Sequence, residues 1–108
     1  MNDNGYALTE AVYYILLALC RPQHGYGIMQ QVERLSEGRV RLAAGTLYGA
    51  LNSLCTRGWI APLPGEEGSR RKEYIITNEG RDVLLSELQR LRQLVRNGEE
   101  ILEEENHG

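Results

Sequence analysis

Two features of this 108-residue sequence have the chemistry to meet a polyanion. One is the run Arg70-Arg71-Lys72. The other is a polar face on the segment Ala43 to Arg57. There Leu47, Leu51 and Leu54 are spaced four and three apart, as the buried stripe of a helix would be. At about 100° per residue, the opposite arc carries Gly45, Thr46, Gly49, Asn52, Ser53 and Thr56, with Tyr48 on its flank. No acidic residue stands on that arc. Small residues let a backbone approach a duplex closely, and an asparagine amide matches the edge of adenine in the major groove. The free N–H groups at the start of such a helix, near Ala44, suit a phosphate. A solvated helix face and a solvated strand edge are the plainer readings of the same residues.

Other kinds of chemistry lack their parts. His24 and His107 are the only histidines, and neither has a companion nearby in sequence. Cys20 and Cys55 stand far apart and read as buried thiols in a reducing compartment. There is no paired nucleophile and base, no phosphate loop and no metal-ligand set, so neither an enzyme nor a metal nor a cofactor is expected. The composition, 42% hydrophobic and 25% charged, is that of a folded domain, and the length suits one domain. The net charge of −3 excludes a general polycation, but it is unevenly spread. Residues 1–72 carry eight Lys/Arg against six Asp/Glu; residues 73–108 carry four against nine. Only the first part suits a polyanion. The apolar run Ala11 to Cys20 is far short of the ~20 residues of a membrane span. Met1 to Glu10 has neither the basic start nor the apolar core of a signal peptide. A cytoplasmic protein without a membrane partner is expected.

The elements that position these residues follow from caps and spacing. Thr9 caps a first helix whose Val12, Tyr13, Ile15, Leu16, Leu17 and Leu19 make it apolar almost all round, hence buried or shared between subunits; Arg21-Pro22 ends it. Gly25-Tyr26-Gly27 turns into a second helix with Ile28, Val32 and Leu35 on one face, stopped at Ser36-Glu37-Gly38. Arg39 to Leu42 alternates as a short strand would, and the third helix follows, closed by Gly58. Trp59 to Leu63 and Arg70 to Ile76 read as a hairpin with a polar tip, Pro64 to Ser69. Thr77 caps a last helix, Asn78 to Glu105, with a near-heptad stripe of Leu84, Leu88, Leu91 and Val95 suited to helix pairing. Asn97-Gly98 and the glutamate runs after it predict fraying beyond Gly98. The fold class is therefore mainly α with a small β-hairpin: a winged helix-turn-helix over 1–77 and a dimerisation helix over 78–108. Val12, Tyr13, Leu16 and Leu17 would supply the other side of the subunit interface. In such a fold a helix enters the major groove while a flanking ribbon holds phosphates.

The ordered set Tyr14-Ile15-Leu16-Leu17-Ala18-Leu19, Pro22, His24-Gly25-Tyr26-Gly27-Ile28, Gly45-Thr46-Leu47-Tyr48, Leu51, Leu54, Gly58, Ile60, Arg70-Arg71-Lys72, Tyr74, Ile76, Thr77 and Gly80 resembles the PadR family of transcriptional regulators. The resemblance is to the short subfamily with a single C-terminal helix and covers about residues 9 to 96. It implies a homodimer that binds an inverted repeat in double-stranded DNA, usually as a repressor, often near its own gene. It also implies release from DNA by a small-molecule inducer or another signal.

The resemblance further implies phosphate contacts from Thr46 and Tyr48, a base contact from Asn52, and a hydroxyl–phosphate contact from Tyr26, against core packing of that ring. Strand alternation cannot point Arg70, Arg71 and Lys72 the same way, so Arg70 and Lys72 are the pair expected to reach DNA. Glu66 and Glu67 would keep the hairpin tip away from phosphates. Glu73 departs from the residue, often aromatic, that the family carries there. Some relatives hold flat drugs or phenolic acids between subunits. With no Phe in the chain and no aromatic residue in the last helix, what is left is an aliphatic pocket around Tyr13, Leu88 and Leu91. The rival reading is a winged-helix module for protein contact. It would need apolar residues outward on the third helix, where this sequence is polar.

Overall fold

The computed structural model describes residues 7–64 and 72–107. Its order is α1 (Glu10–Ala18), β1 (Gln23–His24), α2 (Gly25–Leu35), α3 (Ala44–Thr56), β2 (Ile60–Pro62), β3 (Glu73–Ile76) and α4 (Asn78–His107). The strands form one antiparallel sheet in the order β1-β3-β2. Ile60 pairs with Ile76 and Pro62 with Tyr74 on one side of β3, while Gln23 faces Tyr74 on the other. This is a mostly helical winged helix.

The local causes are visible. The Thr9 hydroxyl accepts the Val12 N–H at 3.1 Å and starts α1. His24 starts α2: its Nδ1 accepts the Gly27 N–H at 3.3 Å. Ile15, Leu16, Leu19, Ile28, Val32, Leu47, Leu51 and Ile60 have buried side chains and form the core between the helices and the sheet. The four-three leucine spacing of α3 thus points where periodicity says it should.

Three expectations are corrected. The strand expected over Arg39 to Leu42 is absent. Glu37 and Gly38 turn left-handed (φ 54° and 84°) at the end of α2. The buried Ser36 hydroxyl then accepts the Val40 N–H at 3.0 Å, holding that backbone in a loop. The third strand is instead Gln23–His24, a two-residue addition to the free edge of β3. The α1 helix stops at Ala18, before Arg21-Pro22, with Leu19 as its C-cap. Finally, α4 does not fray at Gly98 but runs on to His107. A helix-interior glycine costs about 1 kcal/mol, which the strong helix formers around it outweigh.

The start of α4 is stitched to three other elements. The Ile76 N–H donates to the Leu19 carbonyl at 2.8 Å, and the Thr77 N–H to the Trp59 carbonyl at 2.9 Å. The Thr77 hydroxyl donates to the Gly58 carbonyl at 2.6 Å and accepts the Gly80 N–H at 3.1 Å. Gly80 lies directly against the Trp59 carbonyl, so a Cβ there has no room. Two turns further on, the buried Glu87 carboxylate takes both Arg90 donors at 2.7 Å and the Leu8 N–H at 3.0 Å. The Arg90 hydrogen bonds foremost, with the Leu8 N–H helping, hold its carboxyl below the ordinary value of 4.5 against the opposing effect of burial.

Two outcomes are expected. Gly80→Ala lowers stability by about 1–3 kcal/mol, because the clash is with backbone that cannot rotate away; the urea midpoint reads it. Glu87→Gln lowers stability by about 1–2 kcal/mol at pH 7, a range held down by the solvent around Arg90. A depressed carboxyl stabilises fully above its unfolded value and loses that contribution as pH falls through the folded one. The gap between the two proteins in urea therefore closes as the pH is taken below 4.5.

Candidate nucleic-acid interface

The outward face of α3 is built as its composition requires. Ala44, Gly45, Thr46, Gly49, Asn52, Ser53 and Thr56 are all exposed, while Leu47, Leu51 and Leu54 are buried. The helix starts at Ala44 behind Ala43, which offers no side-chain cap. Its first N–H groups are therefore left for an outside acceptor.

Tyr48 is the hinge of the site. Its ring lies over Gly25, so closely that a Cβ at Gly25 would meet the Tyr48 hydroxyl. That contact brings the first turn of α3 to the N-terminus of α2. The result is a hollow of about 710 Å³ whose lining includes His24, Tyr26, Gln30, Tyr48, Lys72 and Tyr74. Tyr26 is 65% exposed and Tyr48 48%, and Lys72 is exposed too. The alternative of Tyr26 as a core residue is thus corrected: α2 turns its Ile28–Val32 face inward, and Tyr26 falls outside that face. Two phenol hydroxyls and an ammonium are donors beside a helix N-terminus, and no acidic residue is among the described residues that line the hollow. They are what a phosphate would be offered.

Behind this surface the chemistry is quiet. Burial pushes the Cys55 thiol up, outweighing the opposing charge of Lys72. Burial, with smaller contributions from Cys55 and Tyr48, pushes the Tyr74 phenol up as well. Both groups stay neutral near pH 7. Among the described residues no group of three or more His, Cys, Asp or Glu is placed to hold a metal ion. No helix among them is long and apolar enough to cross a membrane.

Of the residues expected on DNA, the structure brings Tyr26, Tyr48 and Lys72 together and places Ala44, Thr46 and Asn52 along the adjoining helix face. Arg70 and Arg71, with the glutamates of the hairpin tip, lie outside the described residues. Sequence reasoning passed over His24, Gln30 and Tyr74 as members of the hollow. The signal for His24 was available: an acceptor side chain directly before Gly25-Tyr26-Gly27 is a helix cap in waiting.

The subunit-interface set divides. Leu16 and Leu84 are buried in the domain's own core, Leu16 completely and Leu84 to 7% exposure. Val12, Tyr13, Leu17, Leu88 and Leu91 are half-buried, and Val95 is exposed. Tyr13 and Leu91 line a second hollow of about 330 Å³ between α1 and α4, together with Leu8, Tyr14, Glu87 and Arg90. Leu88 is not part of its lining.

Residues 14–86 match the transcriptional regulator PadR-like family. Solved structures similar to this chain include a transcriptional regulator from Clostridium thermocellum, at 29% identity and TM-score 0.67, covering 82% of this chain and 92% of that one. A PadR family transcription regulator from Clostridium difficile R20291 is 27% identical with TM-score 0.69, covering 86% and 97%. A PadR family transcriptional regulator from Eggerthella lenta is 29% identical with TM-score 0.69, covering 85% and 80%. No curated protein matches the sequence. With a family match over most of its length and a winged helix whose exposed donors suit a phosphate backbone, the chain belongs to the PadR-like family of DNA-binding transcriptional regulators.

Proposed function

We propose that this regulator is a homodimeric repressor of its own or a neighbouring gene, released from DNA by a small molecule or another signal. In this reading residues 1–77 form the DNA-binding unit and 78–108 the dimerisation helix. The observation that carries it is the meeting of Tyr26, Tyr48 and Lys72 at one hollow beside the polar face of α3. Two subunits set their α3 helices about 34–36 Å apart, one turn of DNA, and so read an inverted repeat. Tyr26, Tyr48, Thr46, Lys72 and the N–H groups near Ala44 hold phosphates; Asn52 reads a base edge. Arg70 and Arg71 extend the phosphate contacts along the wing. The hollow between α1 and α4, with Tyr13 and Leu91, is the inducer site. A ligand there favours one spacing of the recognition helices over another, and DNA affinity falls by that difference.

The test is a titration with DNA from upstream of its own gene, against scrambled DNA of equal length, at two salt concentrations. Preference for the upstream DNA, weakening at higher salt, is the expected result. Equal binding to both would remove the autoregulatory reading.

Two substitutions separate the roles. Asn52→Ala narrows the preference for the upstream DNA by about 1–3 kcal/mol. Lys72→Ala weakens both DNAs alike and reduces the slope of log affinity against log salt by about one. An unchanged slope would take Lys72 off the phosphate backbone.

A further inference from the structure

The loop from α2 to α3 is pinned at its start. Gly38 turns left-handed, and the Arg39 N–H donates to the Ser36 carbonyl at 3.1 Å. The buried Ser36 hydroxyl accepts the Val40 N–H at 3.0 Å. Val40 and Leu42 then pack against the core. Residues 39–43 lead directly into α3, whose first internal hydrogen bond runs from the Leu47 N–H to the Ala43 carbonyl at 2.9 Å. Ala43 offers no side-chain cap, so the first turn of α3 takes its place from this loop.

One side chain ties the loop to another element. The Arg39 guanidinium forms an ion pair with the Glu10 carboxylate in the first turn of α1. It also meets the Tyr14 phenol, one turn further along that helix. Glu10 and Tyr14 are four apart and share a helix face. The Glu10 carboxylate raises the Arg39 guanidinium above its ordinary value, against some loss of hydration, and Tyr14 adds to the rise. The helix that carries both anchors is itself fixed, since Ile15 and Leu16 are fully buried. An ion pair between exposed side chains, here 65% and 46%, adds little to overall stability. Its effect is on position: it ties a short loop to a helix that cannot shift.

The same anchor has a second face. Glu10 and Tyr14 line the hollow between α1 and α4, with Glu87, Arg90 and Leu91 on its other wall. Glu87 is already taken by Arg90. Glu10 is the carboxylate of that hollow whose partner is the loop. An occupant that draws on Glu10 or Tyr14 draws on what holds Arg39.

We infer that Arg39 is a positioning residue for the reading helix: through Glu10 and Tyr14 it sets the loop 39–43, and so the first turn of α3, without touching DNA itself. This rests on the reading of α3 as the helix that meets DNA. It links the α1–α4 hollow to the polar face of α3 inside one subunit, so a change at Glu10 reaches α3 without passing through a partner.

Charge exchange tests this in the full chain. Arg39→Glu, Glu10→Arg and the double variant are compared with wild type. Amide exchange at Val40 and Leu47 reads the loop and the first turn of α3. Binding to the upstream DNA reads the polar face, and the urea midpoint reads overall stability. In either single variant both amides exchange about two- to fivefold faster and the DNA binds more weakly by a similar factor, while the urea midpoint moves little. The double variant restores the pair with its charges reversed, and both exchange and affinity recover. Unchanged exchange in the single variants overturns the inference. So does an affinity loss in Arg39→Glu that the double variant leaves in place, because Arg39 then acts on the duplex directly. A large fall of the urea midpoint in either single variant would mean a structural role and overturn it too. If the wild-type chain shows no preference for the upstream DNA, the autoregulatory reading falls and the exchange rates alone decide this one.

Discussion

The structure hangs on the few backbone groups around Thr77. There the end of α1, the start of β2, the end of β3 and the start of α4 meet through direct hydrogen bonds. The Thr77 side chain both closes the sheet onto Gly58 and caps the helix that leaves it. Because Gly80 is pressed against the Trp59 carbonyl, the departing helix has one available angle. The wing, the core and the long helix are therefore not three modules joined by linkers. They share one junction, and a shift in any of them must pass through it.

The second close approach has the same character. Tyr48 rests on Gly25, so the first turn of α3 and the first turn of α2 cannot move independently. This is how a helix bearing mostly small side chains becomes a rigid surface. Its precision comes from the leucines beneath it and the tyrosine at its head, not from the exposed residues themselves. Side chains held in this way lose little conformational freedom when anything docks on them.

Much of this was legible in the sequence where the cause is local. Thr9 and Thr77 announce their helices because capping uses residues one turn apart. The buried leucines of α3 show in their spacing, and the polar arc opposite them follows. What stayed hidden depends on long-range packing. Gln23–His24 has no strand pattern of its own and becomes a strand only because β3 has an open edge beside it. A helix as uniformly apolar as α1 does not declare which face its own core will take, so Leu16 read as readily for a partner as for the interior. The contact of Tyr48 with Gly25 joins residues 23 apart, and no local rule anticipates it. The persistence of α4 beyond Gly98 was missed because one glycine was weighed more heavily than its neighbours.

The length of α4 gives the Thr77 junction mechanical leverage. Thirty helical residues span about 45 Å, so each degree of tilt at the base moves the far end by roughly 0.8 Å. The gearing also runs backward: displacement of the tips by several ångströms returns to the junction as only a few degrees. The junction is continuous with the end of α3 through Gly58 and Trp59, so even that small rotation is passed on to the helix that carries the exposed polar face. A rigid rod anchored at one end thus turns a large displacement of its tip into a small rotation of the place where α1, β2 and β3 meet.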